Sequence, residues 1–243
     1  MRILLLISIS LFTISCSSNY NWGWYILDPT LDQGTSNLKF LLSGLWITIS
    51  ISLISISISL ILGFLVAIPS FSKNKFLRIF NRIYIEFFRA IPLLVLLLWI
   101  YYGLPVIFGL TIGAFAAGVL SLSLSDSAFE AEIFRAGIQS ISIGQRDAAK
   151  SIGLNKFKEM RFVILPQAVR IILPAIGNQF VYVLKMSSLV SIVGLADLTR
   201  KANELVVTVY RPLEIYSFLV LEYLFLIIII SYLIRKLEYK LKI

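Results

Sequence analysis

Three ionisable side chains interrupt long apolar runs of this sequence: Asp126, Lys185 and Glu222. An ammonium group near the centre of a bilayer costs on the order of 2.5–3.5 kcal/mol on insertion scales, so Lys185 is expected to face protein or water. Asp126 and Glu222 are its candidate partners. Such groups serve one of two roles: a polar path across the membrane, or an ion pair that holds helices together. Lys185 is read as a path residue and Glu222 as a packing residue. Asp126, Arg89, Glu132 and Ser188 are carried with Lys185 as candidate path residues. Arg89 falls at the edge of an apolar run, where it anchors in headgroups or acts as a gate.

Other chemistry is excluded by composition. The chain has no histidine, and Cys16 is its single cysteine. A histidine-based triad, a Cys/His zinc cluster and an intrachain disulfide are therefore ruled out. No metal site is expected. No G-x-x-x-x-G-K-[ST] phosphate loop is present, so the chain cannot cradle ATP in the usual way.

A second constellation is polar. It reads Gly144-Gln145-Arg146-Asp147-Ala148-Ala149-Lys150-Ser151-Ile152-Gly153-Leu154-Asn155, and continues to Val163-Ile164-Leu165-Pro166. Ala148, Ala149 and Ile152 fall on one helix face. Gly153 can take the left-handed conformation that ends a helix, and Asn155 can cap a second helix, which Pro166 should limit. Two short helices joined by a bend are expected. Small residues beside a glycine bend suit docking into a groove on another protein, and an amphipathic linker on the membrane surface fits as well. The residues alone leave these two open.

The elements that position these groups are apolar blocks. Over 243 residues the chain is 58% hydrophobic with a net charge of +9, and its mean hydropathy is +0.90. Blocks rather than amphipathic stripes point to a bilayer as solvent. About five transmembrane helices are expected in an all-α integral membrane protein. They run near 42–68, 91–102 (beginning around Tyr84), 111–133, 173–193 and 215–233. The first contains Ile47-Thr48-Ile49-Ser50-Ile51-Ser52, an alternation that reads as strand. A β-barrel is rejected because the other blocks are continuous. Read as helix, the block aligns Ser55, Ser59, Gly63 and Ala67, and the third span aligns Gly113, Ala117, Ser121 and Ser125. Small residues four apart let helices approach closely in lipid.

The bases lie between the spans, so they report topology rather than nucleic-acid binding. The basic stretches after spans one and three and the C-terminal tail fall on one side. The positive-inside rule then places the C-terminus in the cytoplasm and the N-terminus outside. Residues 1–37 read as a signal-like leader with a short periplasmic stretch, and 38–243 as the membrane domain. Ile3 to Ser15 is too short to span. Thr13-Ile14-Ser15-Cys16 is a poor lipobox, so Cys16 is either lipidated or inert. Tyr20, Trp22, Trp24 and Tyr25 suit an interfacial belt or a small folded cap.

The polar constellation resembles the EAA loop of ABC-importer permeases. Asp147-Ala148-Ala149, Gly153 and Val163-Ile164-Leu165-Pro166 keep that loop's spacing, with Asp for Glu and Val for Ile. The resemblance extends over roughly 37–241. Glu86-Phe87-Phe88-Arg89-Ala90-Ile91-Pro92-Leu93-Leu94, Ala131-Glu132-Ile133-Phe134-Arg135-Ala136-Gly137-Ile138, Leu173-Pro174-Ala175-Ile176-Gly177-Asn178 and Arg211-Pro212-Leu213-Glu214-Ile215-Tyr216 are similar to motifs of its polar-amino-acid branch. Met186 departs from that branch, which often has an acid after the lysine matched by Lys185.

The resemblance implies a type I permease fold. Its cytoplasmic coupling loop, around 139–168, would seat on an ATPase through Asp147, Ala148, Ala149, Gly153, Leu165 and Pro166. It further implies a cytoplasmic ATPase dimer, which carries the ATP and Mg, and an extracytoplasmic amino-acid-binding protein. A second permease subunit, identical or related, would complete a channel surrounded by membrane lipid in a bacterial inner membrane. The chain itself would hold no cofactor and catalyse no covalent reaction. An ion-gradient-driven carrier is the rival, but no internal repeat is seen and the loop spacing would go unexplained.

Overall fold

The computed structural model describes residues 20–240, and the leader-like stretch with Cys16 lies outside them. Among the described residues all regular structure is helical. Helix α1 (Asp32–Leu42) turns at Ser43-Gly44 into α2 (Leu45–Ala67). Gly44 is required at that turn, because a Cβ there would lie 2.6 Å from the Asp197 backbone. The Ile/Ser alternation is helical because a chain in lipid must satisfy its backbone polar groups internally. The serines then fold back on their own helix: Ser52 Oγ donates to the Thr48 carbonyl at 2.7 Å and Ser57 Oγ to the Leu53 carbonyl at 2.7 Å.

Helix α3 (Lys75–Ala90) starts at Asn74, whose Oδ1 accepts from the Phe76 amide at 2.9 Å. It stops at Ile91, held extended (φ −82°, ψ 125°) by the following Pro92. The chain then bends by 97° into α4 (Leu93–Leu98), a π-helical turn (Trp99–Gly103) and α5 (Leu104–Phe108). The second span therefore does not begin near Tyr84. That residue lies on α3, a separate helix, and Pro92 is the reason.

Helix α6 (Ala114–Gln139) packs most extensively against α2 and also against α3, α4 and α9. Helix α7 (Ile143–Ser151) and the single turn α8 (Lys156–Glu159) follow. A π-helical turn (Met160–Ile164) then leads into α9 (Leu165–Met186). Pro166 was expected to limit the second short helix, yet helix runs on through it. The Leu165 amide bonds the Met160 carbonyl across the wide turn, so Pro166 begins a fresh helix at a position that needs no donor.

A 3₁₀ stretch (Ser187–Val193) ends at Gly194, φ +83°. The connection between the last two expected spans holds another helix, α10 (Leu198–Val209). Its cap is Asp197, whose Oδ1 accepts from the Arg200 amide at 2.8 Å. Helix α11 (Pro212–Lys240) closes the fold.

Residues 32–71, 156–193 and 212–240 are three helical stretches long and apolar enough to cross a membrane, and α4–α5 passes the same test only when counted together with α3 across the 97° bend. Helix α6 is long enough at 26 residues but carries Asp126, Glu130, Glu132 and Arg135. It runs alongside α2 in parallel, and its neighbours enclose Asp126 and Glu130, so these two meet protein rather than lipid, while Glu132 and Arg135 are only half-buried. Ile51, Leu97, Ala117, Leu122, Val183 and Val190 form the main apolar core where α2, α4, α6, α9 and the 3₁₀ stretch after α9 converge.

Candidate functional site

Helices α2 and α6 meet along a polar seam with a nearly constant offset. Ser123 Oγ donates to the Ser55 carbonyl at 3.2 Å, 68 residues apart, and Ser59 Oγ donates to Asp126 Oδ2 at 2.9 Å, 67 residues apart. The stripe Ser55, Ser59, Gly63 and Ala67 is buried as its spacing indicated. On α6 the face turned to α2 is instead Gly118, Ser123, Asp126 and Glu130. Ala117, Ser121 and Ser125 are buried too, whereas Gly113 is exposed.

Asp126 is the hub of the seam. It is 2% exposed and accepts from Ser59 of α2 and from Gln179 Nε2 of α9. One turn along, Glu130 is fully buried, and neither carboxylate oxygen has a hydrogen-bond partner among the described residues. Tyr84 Oη lies 2.8 Å from Ser127 Oγ and ties α3 to the same seam. Gln179 and Glu130 escaped the sequence reading. An acid four residues after Asp126 was the available signal for Glu130.

Lys185 is not paired with Asp126 or Glu222. It is exposed on the last turn of α9, and no carboxylate lies within ion-pair distance among the described residues. Helical rise explains this: Asp126 is level with Gln179, and Lys185 is six residues, about 9 Å, further along α9. Glu222 is half-buried on α11, and neither carboxylate oxygen has a partner among the described residues. Its neighbour Tyr223 lies 3.1 Å from Thr199 of α10, toward the far end of the bundle. Ser188 Oγ returns to the Lys185 carbonyl at 2.8 Å.

Arg89 and Glu132 do come together. They line a cleft of about 460 Å³ between α3 and α6 with Arg78, Arg82, Glu86 and Arg135. Glu132 pairs with Arg135 at 2.5 Å, and the Arg89 guanidinium stands 5.2 Å from the Phe129 ring centre.

At the same end of the bundle, α7 and α8 form the bent pair read from the sequence. Gly153 has φ +78°, and Asn155 Oδ1 caps α8 by accepting from the Lys158 amide at 2.9 Å. Arg146 Nη2 donates to the Ile138 carbonyl at 2.9 Å and holds α7 against the end of α6. Ala148, Ala149 and Ile152 do not share one environment. Ala149 is 2% exposed against its own chain, while Ile152 is 76% exposed and Ala148 faces outward beside it. Asp147, Leu165 and Pro166 are exposed as well. Ile143 and Phe157, exposed by 76% and 71%, extend the outward apolar surface.

A helix bundle with a polar seam inside and a projecting short helix pair at its basic end is the membrane subunit of a transport system. The chain belongs to the family described as binding-protein-dependent transport system inner membrane component, whose model matches residues 59–243. It is 38% identical over 206 residues to the probable glutamine ABC transporter permease protein GlnM of Bacillus subtilis, covering 85% of this chain and 95% of that one. It is 33% identical over 207 residues to the glutamine transport system permease protein GlnP of Escherichia coli K12, covering 85% and 94%. The crystal structure of an amino acid ABC transporter with histidines has a TM-score of 0.80 at 40% identity, over 85% of this chain and 96% of that chain. The MetNI methionine transporter shares the fold, with a TM-score of 0.73 at 19% identity over 85% and 98%.

Proposed function

We propose that this chain is the permease subunit of an ATP-driven importer for a polar amino acid of the glutamine class. The observation that carries the reading is the projecting α7–α8 pair. Asp147 and Ala148 lie on its outer surface with Ile152 and Phe157, and the bend at Gly153 fixes the angle between the two helices. An apolar knob with small residues at its base suits a cleft in a cytoplasmic ATPase. ATP and Mg belong to that partner, and the permease holds no cofactor of its own. Closure of two ATPases would draw two coupling segments together and rock the bundles between inward and outward access.

Delivery from outside falls to a binding protein, and a second permease subunit completes the path. The seam at Ser59, Asp126 and Gln179 offers donors and acceptors to a zwitterion on that path, with Arg89 and Glu132 toward its inner end and Lys185 and Ser188 nearer its outer end. The positive-inside rule supports a cytoplasmic α7–α8 end and C-terminus with the N-terminus outside. Uptake of radiolabelled glutamine into proteoliposomes tests the reading, with ATP inside, the cognate ATPase present and the binding protein outside. Uptake that needs ATP and the ATPase, and that unlabelled polar amino acids compete away, supports it. Uptake driven by an ion gradient without the ATPase would replace it with a secondary carrier.

A further inference from the structure

We propose that the arginine cleft between α3 and α6 seats the phosphate of an anionic phospholipid. The argument begins with α3, whose two long faces differ. Phe76, Phe80, Ile83 and Phe87 recur at helical spacing and are exposed by 74%, 62%, 60% and 56%. Arg78, Arg82 and Arg89 lie on another face and line the cleft. Such a helix lies in the plane of a membrane interface, with its apolar side in acyl chains and its arginines among headgroups.

The neighbouring cavities place that interface independently. Helix α3 crosses α6 at the Tyr84–Ser127 contact. On one side of the crossing, Leu120 and Leu124 of α6 line an apolar groove of about 550 Å³ with Phe87, Phe88 and Trp99. On the other side, Glu132, Arg135 and Gln139 of α6 line the polar cleft of about 460 Å³. Polarity along α6 therefore steps from hydrocarbon to charge across the thickness of one helix, and α3 marks the boundary. A cleft at that depth opens at headgroup level.

Its charge fits an anion. Four arginines face two carboxylates, Glu86 and Glu132, and Arg135 is already paired with Glu132. Arg78 and Arg82 have no carboxylate within ion-pair distance among the described residues. Guanidinium forks match phosphate oxygens in a bidentate fashion, and basic pockets between helices at the cytoplasmic leaflet suit anionic headgroups. The phenyl row beside them holds the acyl chains of the same molecule.

The test uses the whole transporter complex, purified from membranes, with phosphatidylglycerol and phosphatidylcholine supplied in equal amounts. Retained lipids are counted by native mass spectrometry. The expected result is selective retention of phosphatidylglycerol, weakened roughly fivefold for each arginine removed in Arg78→Gln and Arg82→Gln and kept only in part in Arg78→Lys with Arg82→Lys, which retains the charge but not the guanidinium fork. If the double glutamine variant fails to assemble, the two single variants carry the comparison. Equal retention of both lipids overturns the proposal, as does undiminished selectivity in the glutamine variants. A complex that takes up inorganic phosphate but retains no phosphatidylglycerol makes the cleft a free-anion site and overturns the lipid assignment. A Phe80→Cys chain lacking Cys16 that forms a disulfide-linked permease dimer in the membrane would give the phenyl row to the second subunit, with the same consequence.

Discussion

Gly63 of α2 lies so close to Glu130 of α6 that a Cβ at Gly63 would sit 2.7 Å from the Glu130 Cβ and 2.9 Å from the Ser127 carbonyl oxygen. Both obstacles belong to the body of α6, so a side chain there can be accommodated only by separating the helices. Ser59 would then be drawn away from Asp126 one turn earlier. Gly63→Val is expected to destabilise the permease by about 1–3 kcal/mol, read by thermal unfolding in detergent. Gly113→Ala is the control. A Cβ there meets nothing within 4 Å, so its effect should stay within about 0.5 kcal/mol.

Lys185 gives the opposite expectation. It is exposed and makes no ion pair among the described residues, so assembly does not depend on its charge. Lys185→Met should leave the unfolding temperature and the yield of complex unchanged while lowering ATP-dependent uptake. A variant that transports at the parental rate would remove Lys185 from the path.

The hub at Asp126 should respond to loss of its donor on α9. Gln179→Leu leaves a buried carboxylate with Ser59 as its remaining partner. Such a loss costs about 1–3 kcal/mol, and thermal unfolding beside Gln179→Glu and Gln179→Asn separates shape from hydrogen bonding. Asparagine keeps the donor on a shorter stem and should recover part of the loss. Glutamate adds a third acid to the seam beside Asp126 and Glu130 and should be the least stable of the three.

The spans, the glycine bend and the Asn155 cap were legible because each rests on a local signal: apolar length, the left-handed preference of glycine, or a side chain that bonds its own backbone. The same local reading failed at Pro166, where a π-helical turn absorbs the proline, and at Tyr84, where Pro92 starts a new direction rather than a mid-span kink. Helix α10 was missed because its sequence is too polar for a span and balanced enough for a loop, although Asp197 followed by Arg200 is a cap in position. Partners across the bundle lay beyond sequence altogether. Whether Asp126 meets Lys185 or Gln179 depends on how far α9 is advanced along α6, and that register is set by packing of the whole bundle.

At the other end, Glu214 holds the N-terminal segment. Its two carboxylate oxygens accept from Tyr20 Oη and from the Gly23 amide, each at 2.5 Å, and Arg211 Nη1 donates to the Asn21 carbonyl at 2.6 Å. Trp22 and Trp24 stack outside this knot with ring centres 5.5 Å apart. Tyr20→Phe removes one donor and should speed hydrogen exchange at Gly23 while leaving the helices protected. Glu214→Ala removes both bonds and should raise exchange across 21–27. Unchanged protection in Glu214→Ala would mean that Ile26 and Leu27, buried against Leu41 and Leu205, hold the segment without it.

Coupling is tested by two substitutions that fail for different reasons. Gly153 has φ +78° with nothing within 4 Å of an added Cβ, so its constraint is backbone conformation and not space. Gly153→Val should shift the bend between α7 and α8 because a β-branched residue resists that φ. Ala148→Arg leaves the bend intact, since Ala148 is exposed, and places a long cation on the outward face. Both variants should insert and unfold like the parent, within about 0.5 kcal/mol for Ala148→Arg, and both should lose ATP-dependent uptake. Co-purification of the ATPase distinguishes them. Ala148→Arg should release the ATPase, as a blocked contact would. Gly153→Val should retain part of it, because the outward side chains survive at an altered angle. If Ala148→Arg keeps both the ATPase and full uptake, α7 is a surface linker and the docking face must be sought elsewhere on the basic end.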